Sequence, residues 1–330
     1  MAETGLGAMT KSERVAAFIV DFDLGDAPDG LIDMAETAFL DTVGVMLAGS
    51  REPAARIVCD VIDAEGAAPA ATVVGRSTRT SPQNAALANA IAAQALDYDL
   101  SFMSGQSAAA IIPGLLPLAE TIDAGPRDLI GAFIVGAEVC ARLVRAFPTL
   151  SSEGGWHGAG IIGTIAAAAA FAKLTQAPAE KVPAIIGIAA SMASGLGENF
   201  GTMTKPLHPG LASRNAMMAV ELGARGFTGS ATAIEGRQGF LAVFARGLHW
   251  DAAPFDDLGR PSTFSIPATR SSRFPAAACC TPPSRPPFTF ATRRCHASTA
   301  SQASPSAPPY TRSSGSSTPI PGPRTVPDSA

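Results

Sequence analysis

Leu, Ile and Ala recur at spacings of three and four residues from about Val15 to about Ala245, and then the pattern stops. That break constrains the fold more than any single motif. A period near 3.6 is that of helices burying one face, so the first three quarters read as helix after helix. From Ser262 to Ala330 there is no Leu, Lys, Glu or Met, Asp328 is the one Asp, and nearly half of the 27 prolines lie there. So little aliphatic surface builds no core, and the prolines interrupt helix and sheet alike. The expected organisation is a large all-α domain over residues 1–257, then an unrelated, disordered Ser/Pro/Arg-rich tail over 258–330. Two origins for the tail stay open: a native disordered extension, or the product of a shifted reading frame in a GC-rich gene.

Local signals place the helices. Thr10 with Glu13 forms a capping box before VAAFIVDF. LIDMAETAFLDTVGVML closes at Gly49, and Pro53 opens AARIVCDVID. Ser81 and Pro82 supply an N-cap and an N1 proline for a helix through NAALANAIAAQALDY. Further helices are expected at about 108–123, 126–147, 158–175, 178–194, 209–225 and 229–245, the fifth opened by Pro209. Ala71–Val74 is the one convincing strand.

Hydrophobic residues make up 47% of the 330-residue chain and charged residues 16%, so most helix surface must be buried, in a core and against a partner subunit. Net charge is −4 with no basic block, which leaves no electrostatic footprint for nucleic acid. Residues 1–14 lack the apolar stretch of a signal peptide, and the longest apolar run, Gly158–Ala172, is too short to span a bilayer. The five cysteines show neither a CxxC pattern nor a disulfide framework. A reduced, cytoplasmic protein with no membrane contact is expected.

Four segments concentrate polar residues in this apolar body. Asp97 and Ser101 end a long apolar helix and share a face if it persists; solvated residues at a helix end are the plainer alternative. His157 sits among glycines in GGWHGAG before the most apolar helix, as a neutral base or simply as a cap. Lys205 and His208 lie three apart in GTMTKPLHPG, in a chain with only four lysines and four histidines. Beside helix N–H groups they make a docking point for a carboxylate. The GFTG turn and EGRQGF read as structural, with glycines at helix ends and phenylalanines in the core. Metal-ligand spacing, a GxGxxG after a strand and a Walker loop are all absent from the sequence. The available reagents suit proton abstraction next to a carboxylate.

The ordered set FLDTVGVMLAGS, ALANAIAAQALDYD, IIPGLLPLAE, GAEVCARL, GWHGAG, IAASMASGL, GTMTKPLHPGLASRNAMMAVELGARGFTG and IEGRQGF resembles the MmgE/PrpD family from about Val15 to Gly247. That family includes 2-methylcitrate dehydratases, cis-aconitate decarboxylases and an iminodisuccinate epimerase. The resemblance implies a helical domain carrying half the active site, a following α+β lid domain, a homodimer, and neither metal nor organic cofactor. By the same resemblance Asp97 matches an active-site aspartate, and Ser101 stands where threonine is usual. His157 matches a proton-transfer histidine and Lys205 a carboxylate-binding lysine, with His208 beside it. A histidine expected before Ala109 is replaced by Gln106, taken as a substrate contact in its place. The lid's Lys, Tyr-Pro-x-Cys and His have only an echo in Arg273-Phe274-Pro275 and Cys279-Cys280, so the lid is expected to be missing or truncated. His296 and Tyr310 match nothing and receive no role.

The expected activity is that of a lyase on a small di- or tricarboxylate, a dehydratase or decarboxylase. Lys205 and His208 hold substrate with Gln106, His157 moves the proton, and Asp97 with Ser101 orients or polarises. Two alternatives remain: epimerisation of a dicarboxylate, and a truncated, inactive family member.

Overall fold

The computed structural model describes residues 9–27, 30–98 and 108–259. Of the expected tail, residues 260–330 lie outside them, while Leu258 is described and packs against the core. The described residues belong to one unit of contacts.

Ten α-helices and one short hairpin account for the described architecture. They are α1 (Lys11–Asp21), α2 (Leu31–Gly49), α3 (Pro53–Glu65), α4 (Pro82–Gln94), α5 (Ala108–Ile122), α6 (Pro126–Ala146), α7 (Gly158–Leu174), α8 (Val182–Met192), α9 (Thr204–Ala224) and α10 (Phe240–Ala245). Between α3 and α4, β1 (Ala71–Thr72) pairs antiparallel with β2 (Arg79–Thr80), Ala71 opposite Thr80. The all-helical expectation holds for these residues, and the strand signal belongs to a two-residue strand whose partner gave no apolar alternation.

α7 is the axis of the core. Every residue of it but Lys173 is buried, so it has no polar face, as a helix covered on all sides must. It packs against α6, α9, α5, α8 and α1. Small residues let these neighbours come close: a Cβ on Gly136 of α6 would sit 2.8 Å from the Ala166 carbonyl of α7. α4 is likewise buried from Asn84 to Gln94 and packs against α9, α5 and α2. The junction of α4, α7 and α9 is therefore deep in the molecule.

The helix-start signals at Thr10, Pro53 and Ser81 are realised. Thr10 Oγ1 accepts from the Glu13 amide at 3.1 Å, and Glu13 Oε2 accepts from the Thr10 amide at 2.8 Å. Ser81 caps α4 through the Asn84 amide. Lys173, one of the four lysines, ends α1 by donating to the Ile19 and Phe22 carbonyls at 2.7 Å each. Arg142 and Glu138, both 1% exposed, pair on α6 at 2.7 Å. Arg142 also donates to the Pro254 carbonyl at 2.9 Å and pairs with Asp257, which ties α6 to the last described turns.

Four expectations are corrected. α9 begins at Thr204, five residues before Pro209. Pro206 falls in the first turn, where amides have no helical acceptor anyway, so it does not delay the start. Pro209 lies inside the helix. The expected helix over 229–245 shrinks to α10, because Gly229, Gly236 and Gly239 support turns instead. There the Gly236 amide bonds the Thr232 carbonyl at 2.8 Å and the Phe240 amide bonds the Ala233 carbonyl at 2.7 Å. Phe240 is buried as expected, but Phe227 is 59% exposed. α4 stops at Gln94, so Asp97 is not helical and the shared face with Ser101 does not form through it. No described helix is long and apolar enough to cross a membrane.

Candidate active site

Four of the six residues singled out in the sequence lie among the described residues, and they gather at the junction of α4, α7 and α9. Ser101 and Gln106 lie outside the described residues.

His157 is the N-cap residue of α7. Two loops hold it there. Its amide donates to the Gly195 carbonyl at 3.0 Å, and the Gly197 amide donates to the Gly155 carbonyl at 2.7 Å. Trp156 bridges Leu196 and donates from Nε1 to the Phe244 carbonyl at 3.2 Å. Gly155 occupies left-handed backbone at φ 72°, so the glycines around the histidine serve this loop-on-loop contact.

His208 sits inside α9 and is 5% exposed; His157 is 4% exposed. Their Nδ1 atoms are 3.0 Å apart, a direct imidazole–imidazole hydrogen bond across 51 residues of chain. Gly195 lies against both rings at φ 146°, and a Cβ there would stand 3.2 Å from His208 Cγ and 3.5 Å from His157 Cβ. Gly195→Ala is therefore strained twice, by backbone and by contact. It is expected to cost about 1–3 kcal/mol and to disturb the two histidine rings, measurable as a lower denaturation midpoint and altered imidazole NMR shifts.

Lys205, in the first turn of α9, is 16% exposed and bonds Asp97 Oδ1 at 2.6 Å. Asp97 follows α4 at φ 56°, a left-handed conformation that a short polar side chain tolerates. Phe200 joins the two halves of the cluster. Its ring packs edge-on against His157 at 5.0 Å, and Lys205 Nζ lies 5.5 Å from its centroid. Phe200 and Gly195 carried no chemistry in the sequence. The one available signal was the run of glycines 195, 197 and 201 between two helices.

Burial holds both imidazoles neutral. His157 falls from 6.5 to about 3, first through desolvation and then through the neighbouring His208 and the Lys205 cation. His208 is lowered by desolvation. Because the folded values lie below the unfolded one, the unfolded chain binds more protons, and stability rises with pH. The contribution is complete above about pH 6.5 and is lost as pH falls from there toward 3. At about pH 5 His157 alone should cost about 2 kcal/mol. Urea denaturation at about pH 7.5 and 5 should show that loss, and His157→Gln should flatten the difference.

The cluster thus offers a part-buried cation and carboxylate beside a buried neutral base. A separate concavity of about 830 Å³ lies along α8, the end of α9 and residues 227–244, and none of these four residues lines it. Among the described residues, no group of three or more His, Cys, Asp or Glu side chains is placed to hold a metal.

Comparison with known proteins gives this geometry a context. The MmgE/PrpD N-terminal domain matches residues 13–253. Cis-aconitate decarboxylase of Homo sapiens is 29% identical over 241 residues, covering 71% of this chain and 50% of that protein. A cis-aconitate decarboxylase-like protein of Aspergillus oryzae is 28% identical over 243 residues (70% and 50%), and the Aspergillus terreus decarboxylase 26% over 232 (67% and 47%). The chain spans about half the length of these curated relatives. With a family model covering most of its length and its helical body in the matched region, the chain belongs to the MmgE/PrpD family.

Proposed function

We propose that this domain carries a lyase-type half-site for a small di- or tricarboxylate, working by proton transfer at carbon next to a carboxylate. The observation that carries the reading is Lys205 Nζ, paired with Asp97 at 2.6 Å beside the buried His157–His208 pair. Lys205 receives a substrate carboxylate, and Asp97 keeps the ammonium aimed. As the C–H or C–C bond breaks, its electron pair delocalises toward that carboxylate, where the cation is already in place and needs no reorganisation. His157 moves the proton to or from carbon, its neutral form maintained by burial. Ser101 and Gln106 enter through their sequence positions alone, as hydroxyl and amide contacts to substrate.

The likeness to cis-aconitate decarboxylases makes cis-aconitate the first substrate to test. Turnover of cis-aconitate, 2-methylcitrate and iminodisuccinate should be followed separately, by CO2 release, dehydration and loss of optical activity. Reaction with the first or second is expected. Turnover of iminodisuccinate alone would move the assignment to epimerisation. A folded protein inert toward all three would falsify the enzymatic reading.

A further inference from the structure

The proposed function leaves a difficulty. A base held near pH 3 is a poor proton acceptor, and Lys205 makes a charge on His157 costlier still. The contact behind His157 offers a way out. A neutral imidazole carries one N–H, so two neutral imidazoles that meet Nδ1 to Nδ1 at 3.0 Å must differ: one holds Nδ1–H and the other holds Nε2–H. Resting on the reading above, in which His157 exchanges a proton with carbon, the order is fixed: with Nδ1 turned to His208, that proton reaches His157 at Nε2.

We propose that His208 is the second half of a two-histidine relay. It accepts the Nδ1–H of His157, so that His157 presents an unprotonated Nε2, and it carries the proton that His157 takes. The step balances. The substrate C–H bond breaks and its electron pair stays on carbon, delocalised toward the carboxylate at Lys205. The proton forms an N–H bond at His157 Nε2, and the Nδ1 proton of His157 crosses to His208 Nδ1. His157 ends neutral with Nε2–H, and His208 ends as the imidazolium. Delivery of a proton to carbon is the same path reversed.

Lys205 opposes a charge on His157, and burial lowers His208. Asp97 sits beyond Lys205 as its partner. Glu153 and Glu198, on the loops to either side, are exposed, and α8 has no charged residue. Moving the charge to His208 takes it off the imidazole that meets the substrate. Gly195, whose missing side chain lets both rings close against the same backbone, keeps the two nitrogens at bonding distance.

His208 is thus a positioning and relay residue, and its role separates from plain packing by two substitutions. In His208→Asn, Oδ1 can stand near the old Nδ1 and still accept from His157, but it cannot take up the proton. In His208→Leu neither function survives. With [15N]histidine-labelled full chain, wild type should show His157 protonated at Nδ1 and His208 at Nε2, the former assigned by its disappearance in His157→Asn. His208→Asn should keep the Nδ1–H signal of His157, and His208→Leu should lose it. In turnover, His208→Asn should lower kcat by about 10–100-fold with KM within about twofold. Two Nε2-protonated imidazoles in wild type, or full kcat in His208→Asn, would overturn the relay. If no carboxylate is turned over by wild type, the proposed function fails, and the NMR spectrum alone then decides whether the histidines share a proton as described.

Discussion

Lys205→Met should lower kcat/KM by about 10²–10³-fold while the protein stays folded. The magnitude is that of removing one preorganised charge or donor from a developing anion. Methionine keeps an apolar stem to pack near Phe200, so the lost group is the ammonium alone. Asp97 is already 33% exposed beside Lys205, so the stability cost should stay within about 1 kcal/mol. Lys205→Arg should recover little, because a planar fork does not replace a compact ammonium at this site. A second readout follows from the electrostatics. Lys205 is one of the causes that hold His157 low, so its removal should move the His157 titration upward toward 6.5. Steady-state kinetics and histidine NMR on the same variant check both. Activity within threefold of wild type would remove Lys205 from the site.

Glu138→Ala should be the most damaging substitution for the fold, at about 3–5 kcal/mol. Both partners of the Glu138–Arg142 pair are 1% exposed, so alanine leaves a guanidinium buried without its compensating charge on α6. Arg142 cannot simply leave, since it also holds the Pro254 carbonyl and Asp257. At about 2–4 °C per kcal/mol for a domain of this size, the melting temperature should drop by about 10 °C. Glu138→Gln keeps an acceptor and should cost less. A loss below about 1 kcal/mol for the alanine variant would show that the pair contributes little.

Much of this was legible in the chain, for identifiable reasons. The apolar α7 and the uncharged, Ala-rich α4 announce themselves because a helix without a charged face must be central. The Thr10–Glu13 box, Ser81 and Pro53 are local signals, read over three or four residues and decided there. His157 and Lys205 were visible as scarce residue types in an apolar body, and Asp97 as a carboxylate at the end of a long apolar helix. What stayed hidden depends on distance in sequence. Arg142 and Glu138 look like an ordinary surface pair at i,i+4 until α7 and the Pro254 turn close over them. Pro209 reads as a helix start because the sequence does not show that Pro206 is already in the first turn. His208 looks like a partner for Lys205, three residues away. The fold gives Lys205 to Asp97 and His208 to His157, 51 residues distant. Gly195 is mute in the sequence because its function is to leave room.

The most direct test of the site is isotope exchange. With cis-aconitate and 2-methylcitrate in D2O, proton NMR should show wild-type protein placing deuterium on carbon adjacent to a carboxylate. Exchange should fall by at least about 100-fold in Lys205→Met and His157→Gln. Exchange that persists unchanged in both variants, or that is absent from the folded wild-type protein, would contradict a carboxylate-directed proton-transfer site at Lys205 and His157.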